Sequence, residues 1–157
     1  MCTALALILA YVEILVQPLF PTLPGIKMGL PNIVIVFLLY RKTPVSALGV
    51  SILRIFLVSM LFGNAMSLMY SISGTVISFL VMLLLKHLNI LSVVGVSVAG
   101  GITHNLGQIL MAILLLDTIE LGYYMVVLTV TGVVAGVLVG LCGAVLVKKI
   151  PENVLFL

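Results

Sequence analysis

Long apolar runs broken by short polar punctuation dominate this chain. Each run is about the length needed to cross the hydrocarbon core of a bilayer as a helix. The pattern predicts helices over about 2–20, 29–40, 44–62, 66–85, 90–116 and 121–147. Pro18, Pro21 and Pro24 end the first helix, because proline lacks the N–H that a helix interior requires. Thr43-Pro44 reads as an N-cap followed by a first-turn proline. Gly63-Asn64 separates helices three and four, Lys86 to Asn89 separates four and five, and Asp117 to Gly122 separates five and six. The expected fold is an all-α integral membrane protein: one domain over 1–157, a bundle of six transmembrane helices.

Composition strengthens that reading. The chain is 64% hydrophobic and carries only seven Lys or Arg and four Asp or Glu in 157 residues. A soluble chain of this length does not have that balance. Most of the charges mark the edges of the apolar runs. Arg41, Lys42, Lys86, Lys148 and Lys149 follow the even-numbered helices, whereas the loops after the odd-numbered ones carry only Lys27 among the basic residues. By the positive-inside rule both termini are expected in the cytoplasm of a multi-pass cell-membrane protein. No cleavable leader is expected, since the pattern of a charged start, short apolar stretch and small-residue cleavage site is missing. Cys2 and Cys142 have no metal-ligand spacing and are expected to stay reduced on that side. Nothing resembles a basic nucleic-acid-binding stripe.

Polar residues inside the runs carry the candidate chemistry. Glu13 lies past the middle of helix one, with Gln17 one turn on, and Arg54 lies within helix three. A charge at that depth faces a partner, a cavity or the bundle interior. A structural Glu13–Arg54 pair and contact with a ligand are both open and do not exclude each other. The mouth of helix two reads Pro24-Gly25-Ile26-Lys27-Met28-Gly29-Leu30-Pro31-Asn32. Irregular, Gly- and Pro-interrupted backbone beside a short span is a pointer to a transport site, which makes Lys27 and Asn32 candidates; a plain loop with a snorkelling lysine is the alternative. Helix five holds Thr103, His104, Asn105 and Gln108, with His104 and Gln108 one turn apart on one face. These line a pocket or bond across helices. Asn64, Ser67, Tyr70 and Ser71 at the outer end of helix four could complete an outward-facing pocket. Gly132, Gly136, Gly140 and Ala144 form a small-residue stripe on helix six, expected to pack within the bundle.

Other functions lack their residues. There is no phosphate loop with Lys and Ser or Thr, so ATP hydrolysis is not expected of this chain. A single Asp cannot provide the carboxylate clusters that hold magnesium against diphosphate in a prenyl-diphosphate synthase. His104 has no carboxylate or second His at ligand spacing, so no metal site is expected, and nucleophile triads find no supporting spacing. The chain is expected to be neither an enzyme nor a holder of a cofactor.

Three segments carry a resemblance: Pro24-Gly25-Ile26-Lys27 through Gly29-Leu30 and Asn32; Leu61-Phe62-Gly63-Asn64 with Ser67, Tyr70 and Ser71; and His104-Asn105-Leu106-Gly107-Gln108. Together they resemble the Gx transporter family, also labelled heptaprenyl diphosphate synthase component I, which is similar to the substrate-binding (S) components of energy-coupling factor transporters. The resemblance covers nearly the whole chain. It implies six helices with both termini inside and a pocket near the outer face. It also implies an Ala-x-x-x-Ala patch on helix one, matched by Ala6 and Ala10, that docks on a coupling subunit. The implied partners are that transmembrane coupling subunit, two ABC ATPases, a small-molecule substrate and the lipid bilayer. Glu13, Lys27, Asn32, Arg54, Asn64, Tyr70, His104, Asn105 and Gln108 are then the candidate substrate-binding residues.

Lys27 and Arg54 suit an anionic group on the ligand, while Tyr70 and apolar walls suit a flat or greasy body. The family's association with quinone and isoprenoid genes points to a naphthoate, a quinone precursor or a prenyl compound, with flavin, haem or another vitamin-like ligand still open. Two other classes compete. A membrane subunit that recruits a prenyl-diphosphate synthase or redox enzyme would transport nothing. An autonomous secondary transporter coupled through Glu13 fits less well, since the chain has no evident internal repeat.

Overall fold

The computed structural model describes residues 1–16 and 29–150. Six α-helices follow in chain order: α1 Cys2–Val16, α2 Asn32–Arg41, α3 Pro44–Phe62, α4 Ala65–Leu88, α5 Val93–Leu116 and α6 Tyr124–Lys149, with a 3-10 turn Ile119–Tyr123 leading into the last. There is no strand among the described residues. The spans Pro44–Phe62, Ala65–Leu88, Val93–Leu116 and Ile119–Lys149 are long and apolar enough to cross a membrane. Large apolar side chains such as Leu80, Leu114, Val126 and Leu138 are exposed on them, a surface that suits lipid. The chain is a multi-pass membrane protein.

The remaining two helices refine the six-span expectation. The described part of α1 has 15 residues, and the continuation expected to residue 20 lies outside the described residues. α2 has only 10 residues, so it rises about 15 Å, half of a hydrocarbon core. It begins at Asn32 rather than 29, because Gly29 takes a left-handed φ of 72° and a turn of Asn32, Ile33 and Val34 N–H groups onto Gly29, Leu30 and Pro31 carbonyls precedes the helix. Val34 to Leu39 are six consecutive buried residues. A helix buried on every face is a core helix. α2 is therefore the hub of the bundle, packed against α1, α3 and α6.

Caps set the other boundaries. The Thr43 hydroxyl accepts from Ser46 N–H (3.3 Å) ahead of Pro44. The Asn64 carbonyl oxygen accepts from Ser67 N–H (2.8 Å), and the Ser92 hydroxyl from Gly95 N–H (3.3 Å). Left-handed Asn89 and Asp117 end α4 and α5. α4 thus runs through Lys86 and His87 to Leu88, beyond the expected break. Three helix C-termini gather at one end of the bundle, held by cationic side chains. Arg41 Nε donates to Val147 O (2.9 Å), its Nη2 donates to the same carbonyl, and Lys86 Nζ donates to Leu39 O. Cations at carbonyl-bearing helix ends also complement the helix dipoles.

Glycine contact allows the tightest packing. α5 lies between α4 and α6. A Cβ on Gly136 would stand 2.6 Å from Val98 Cα, and one on Gly107 would stand 2.8 Å from Gly74 Cα. The small-residue stripe on α6 therefore packs within the chain, with Gly143 against Val36 of α2.

Candidate functional site

The bundle encloses a cavity of about 120 Å³ to which all six helices contribute. At the end opposite the gathered C-termini lies a larger vestibule of about 830 Å³. Ile14, Val58, Ser67 and Ser71 line both, so the vestibule and the inner cavity adjoin.

Polar side chains from several helices enter an inner cavity whose walls are otherwise apolar. α1 contributes Glu13, which is buried, and its Oε1 accepts from Gly29 N–H at 2.6 Å. α2 contributes Asn32, whose Oδ1 accepts a long 3.5 Å bond from Arg54 Nη2 of α3. Glu13 also acts electrostatically on Arg54. The carboxylate therefore holds the backbone at the mouth of α2 and offsets the neighbouring guanidinium. Glu13 and Arg54 thus act on each other and both line the cavity. Arg54 Nε and Thr75 Oγ1 are buried and have no hydrogen-bond partner among the described residues. Such groups are uncommon in folded proteins and mark a place where a ligand or water belongs.

The α5 cluster divides. His104 and Asn105 line the inner cavity. Asn105 Nδ2 donates to Leu128 O of α6 at 2.7 Å, so this side chain ties two helices together. Thr103 turns back on its own helix, donating to Ala99 O at 2.7 Å. Gln108 lines the vestibule with Tyr70 and Asn64. Asn64 also caps α4. The walls between these polar groups are apolar and aromatic: Val58, Phe62, Met66, Ile109, Tyr124 and Leu128. The Tyr11 ring of α1 meets Phe62 at 5.5 Å between centroids and supports that wall.

Of the nine candidate binding residues, Glu13, Asn32, Arg54, His104 and Asn105 surround the inner cavity, and Asn64, Tyr70 and Gln108 the vestibule. Lys27 and Gln17 lie outside the described residues. Ala6 and Ala10 require a correction. They do not form a surface patch for a coupling subunit, because they are only 0% and 5% exposed. Their small side chains let α1 approach its neighbours, Ala6 joining the same core as Ala47 of α3. The exposed face of α1 is instead Leu5, Ile8, Tyr11, Val12 and Leu15.

Sequence reasoning missed a set of buried hydroxyls. Ser51 and Ser59 of α3, Thr75 and Ser78 of α4, and Ser97 of α5 all line the inner cavity. A signal was present: Ser67, Ser71, Thr75 and Ser78 recur at helical spacing and continue the noted outer pair inward along one face of α4. Among the described residues no three His, Cys, Asp or Glu side chains come together in a way that could hold a metal.

No curated protein and no solved structure matches this chain. Residues 2–146 match the family described as heptaprenyl diphosphate synthase component I, which is nearly the full length. With an apolar helical bundle and that match, the chain belongs to the heptaprenyl diphosphate synthase component I family.

Proposed function

We propose that this protein is a membrane-embedded substrate-binding component of an importer, similar to the S components of energy-coupling factor transporters. One observation carries the reading: a vestibule of about 830 Å³ with largely apolar walls adjoins a cavity at the bundle core that polar side chains enter. That volume is of the size that holds small organic ligands. The positive-inside rule sets the end bearing Arg41, Lys86, Lys148 and Lys149 in the cytoplasm and the vestibule outside. The vestibule then captures its ligand from the outer face of the cell membrane. The chain has no phosphate-loop motif, so energy comes from a coupling subunit and ABC ATPases, and the chain itself performs no covalent chemistry. The ligand is an amphipathic small molecule, of the quinone-precursor or prenyl class.

The family's description favours a second reading. It names one component of a prenyl-diphosphate synthase and so supports a partner enzyme subunit. In that reading the bundle recruits the enzyme to the lipid and transports nothing.

Purification in nanodiscs followed by mass spectrometry of bound small molecules separates the two. A stoichiometric ligand that is lost in Tyr70→Ala supports capture. An empty protein that co-purifies with a prenyl-diphosphate synthase, and gives no uptake in cells supplied with the ATPase partners, would leave the recruiting reading standing.

A further inference from the structure

The inner cavity brings opposite charges and unpartnered hydrogen-bond donors together. Among the described residues its lining Asp, Glu, Lys and Arg side chains are Glu13 and Arg54, one of each sign, which act on each other, with His104 beside them. Glu13 also occupies the N-terminal side of α2 through Gly29 N–H, where a ligand anion would otherwise gain from the helix dipole. The first N–H groups of α2 are taken by the carbonyls of Gly29, Leu30 and Pro31. What remains open is hydrogen-bond donation. Arg54 Nε–H and the Thr75 hydroxyl are buried without partners among the described residues, and both residues line the cavity. Thr75 is only 7% exposed. The space is narrow, about 120 Å³ against about 830 Å³ outside it.

From this we infer that the inner cavity takes a single compact acceptor group, a carbonyl or one carboxylate, on a ligand whose apolar body fills the vestibule, and that it rejects a diphosphate. The inference rests on the capture reading above. A diphosphate brings several negative charges to a site whose cation is already offset by Glu13, and buried charge without compensation is strongly disfavoured. A carbonyl oxygen meets the two open donors and adds no charge, and a carboxylate adds one charge where a diphosphate adds several.

The test uses the full chain in nanodiscs and three ligands with one body: farnesal, farnesoic acid and farnesyl diphosphate, each radiolabelled and titrated to equilibrium. The aldehyde or the acid is expected to bind at least about tenfold more tightly than the diphosphate, and comparison of those two tells a neutral head from a charged one. Thr75→Val, which deletes the hydroxyl and keeps the shape, is expected to weaken the preferred ligand by about tenfold, roughly one hydrogen bond. Thr75→Ser is expected to restore it and guards against a folding defect. Equal or tighter binding of the diphosphate would overturn the inference while leaving the capture reading intact, as would a preferred ligand indifferent to Thr75→Val. Failure of all three to bind a folded protein would overturn the inference, and would remove the capture reading as well when no small molecule co-purifies.

Discussion

The Glu13 carboxylate accepts a hydrogen bond from Gly29 N–H, sixteen residues further along the chain, at 2.6 Å. That bond ties α1 to the entry of the buried half-length helix α2 at a backbone position, φ 72°, that glycine adopts without strain. The same carboxylate acts on Arg54. One buried acid therefore serves as an anchor for the backbone and as a counter-charge.

Removing it should expose both roles. Glu13→Ala leaves a guanidinium without its counter-charge and a backbone donor without its acceptor. Breaking a buried pair from one side costs about 3–5 kcal/mol. Glu13→Gln keeps an acceptor for Gly29 and loses only the charge, so a smaller loss is expected. The double variant Glu13→Gln with Arg54→Met removes both charges and should recover part of that loss. Thermal unfolding of the parent, Glu13→Ala, Glu13→Gln, Arg54→Met and the double variant in one detergent checks this. A double variant that is merely the sum of its singles would show that the two charges are not coupled.

Asn105 and Tyr70 separate architecture from recognition. Asn105 bonds to a carbonyl of α6, whereas Tyr70 lines the vestibule. Asn105→Leu should therefore lower stability by about 0.6–2 kcal/mol, the range for one interhelical hydrogen bond in a membrane. Tyr70→Ala should lower ligand affinity by about tenfold, as expected for loss of an aromatic anchor, and shift unfolding little. Denaturation in mixed micelles and equilibrium binding, run on both variants, read the two effects. Equal stability losses in both would remove the distinction.

The outline of the bundle was readable because apolar length, proline and capping residues act locally. Thr43-Pro44 and Gly63-Asn64 mark helix boundaries through bonds that reach only three residues. The hydroxyl-lined cavity was not readable, because serine and threonine in an apolar helix have several uses that look alike in sequence. Thr103, Thr129 and Thr131 bond within their own helices. Ser73 and Ser78 bond across to Gly107 O and Gly100 O, at 2.9 and 2.8 Å. Thr75 does neither and faces the cavity. Only packing decides among these uses. The half-length of α2 was visible, but its role as the buried hub depends on neighbours far along the chain. Ala6 and Ala10 show the same limit: two small residues one turn apart fit an outside docking patch and an inside contact equally well.

Glycines test the packing directly. A Cβ at Gly136 would lie 2.6 Å from Val98 Cα, a backbone atom that can move only with its helix. Gly136→Ala should therefore destabilise by about 1–3 kcal/mol, as overpacking does. Gly49, in the second turn of α3, has nothing within 4 Å of the same built atom. Gly49→Ala should stabilise by about 0.5–1 kcal/mol by removing glycine's conformational freedom from a helix interior. The opposite signs, measured side by side by unfolding, are the expected outcome. A Gly136→Ala protein as stable as the parent would mean that α5 and α6 sit further apart than this.

Arg41 closes the bundle at the basic end. Its Nε and Nη2 both donate to the Val147 carbonyl, in the last turn of α6 and 106 residues away in the chain. Two donors of one planar group on one oxygen set direction as well as charge, which a lysine ammonium cannot reproduce. If charge alone mattered, Arg41→Lys would behave as the parent, since the helix dipole responds to any cation near the carbonyl end. If the fork matters, Arg41→Lys should lose a large part of what Arg41→Met loses, about 1–3 kcal/mol for a charged hydrogen bond. Hydrogen exchange of the amides near Lys148 and Lys149 gives a local readout, and protection there should fall in both variants. Full protection in Arg41→Lys would reduce the role of Arg41 to that of a point charge.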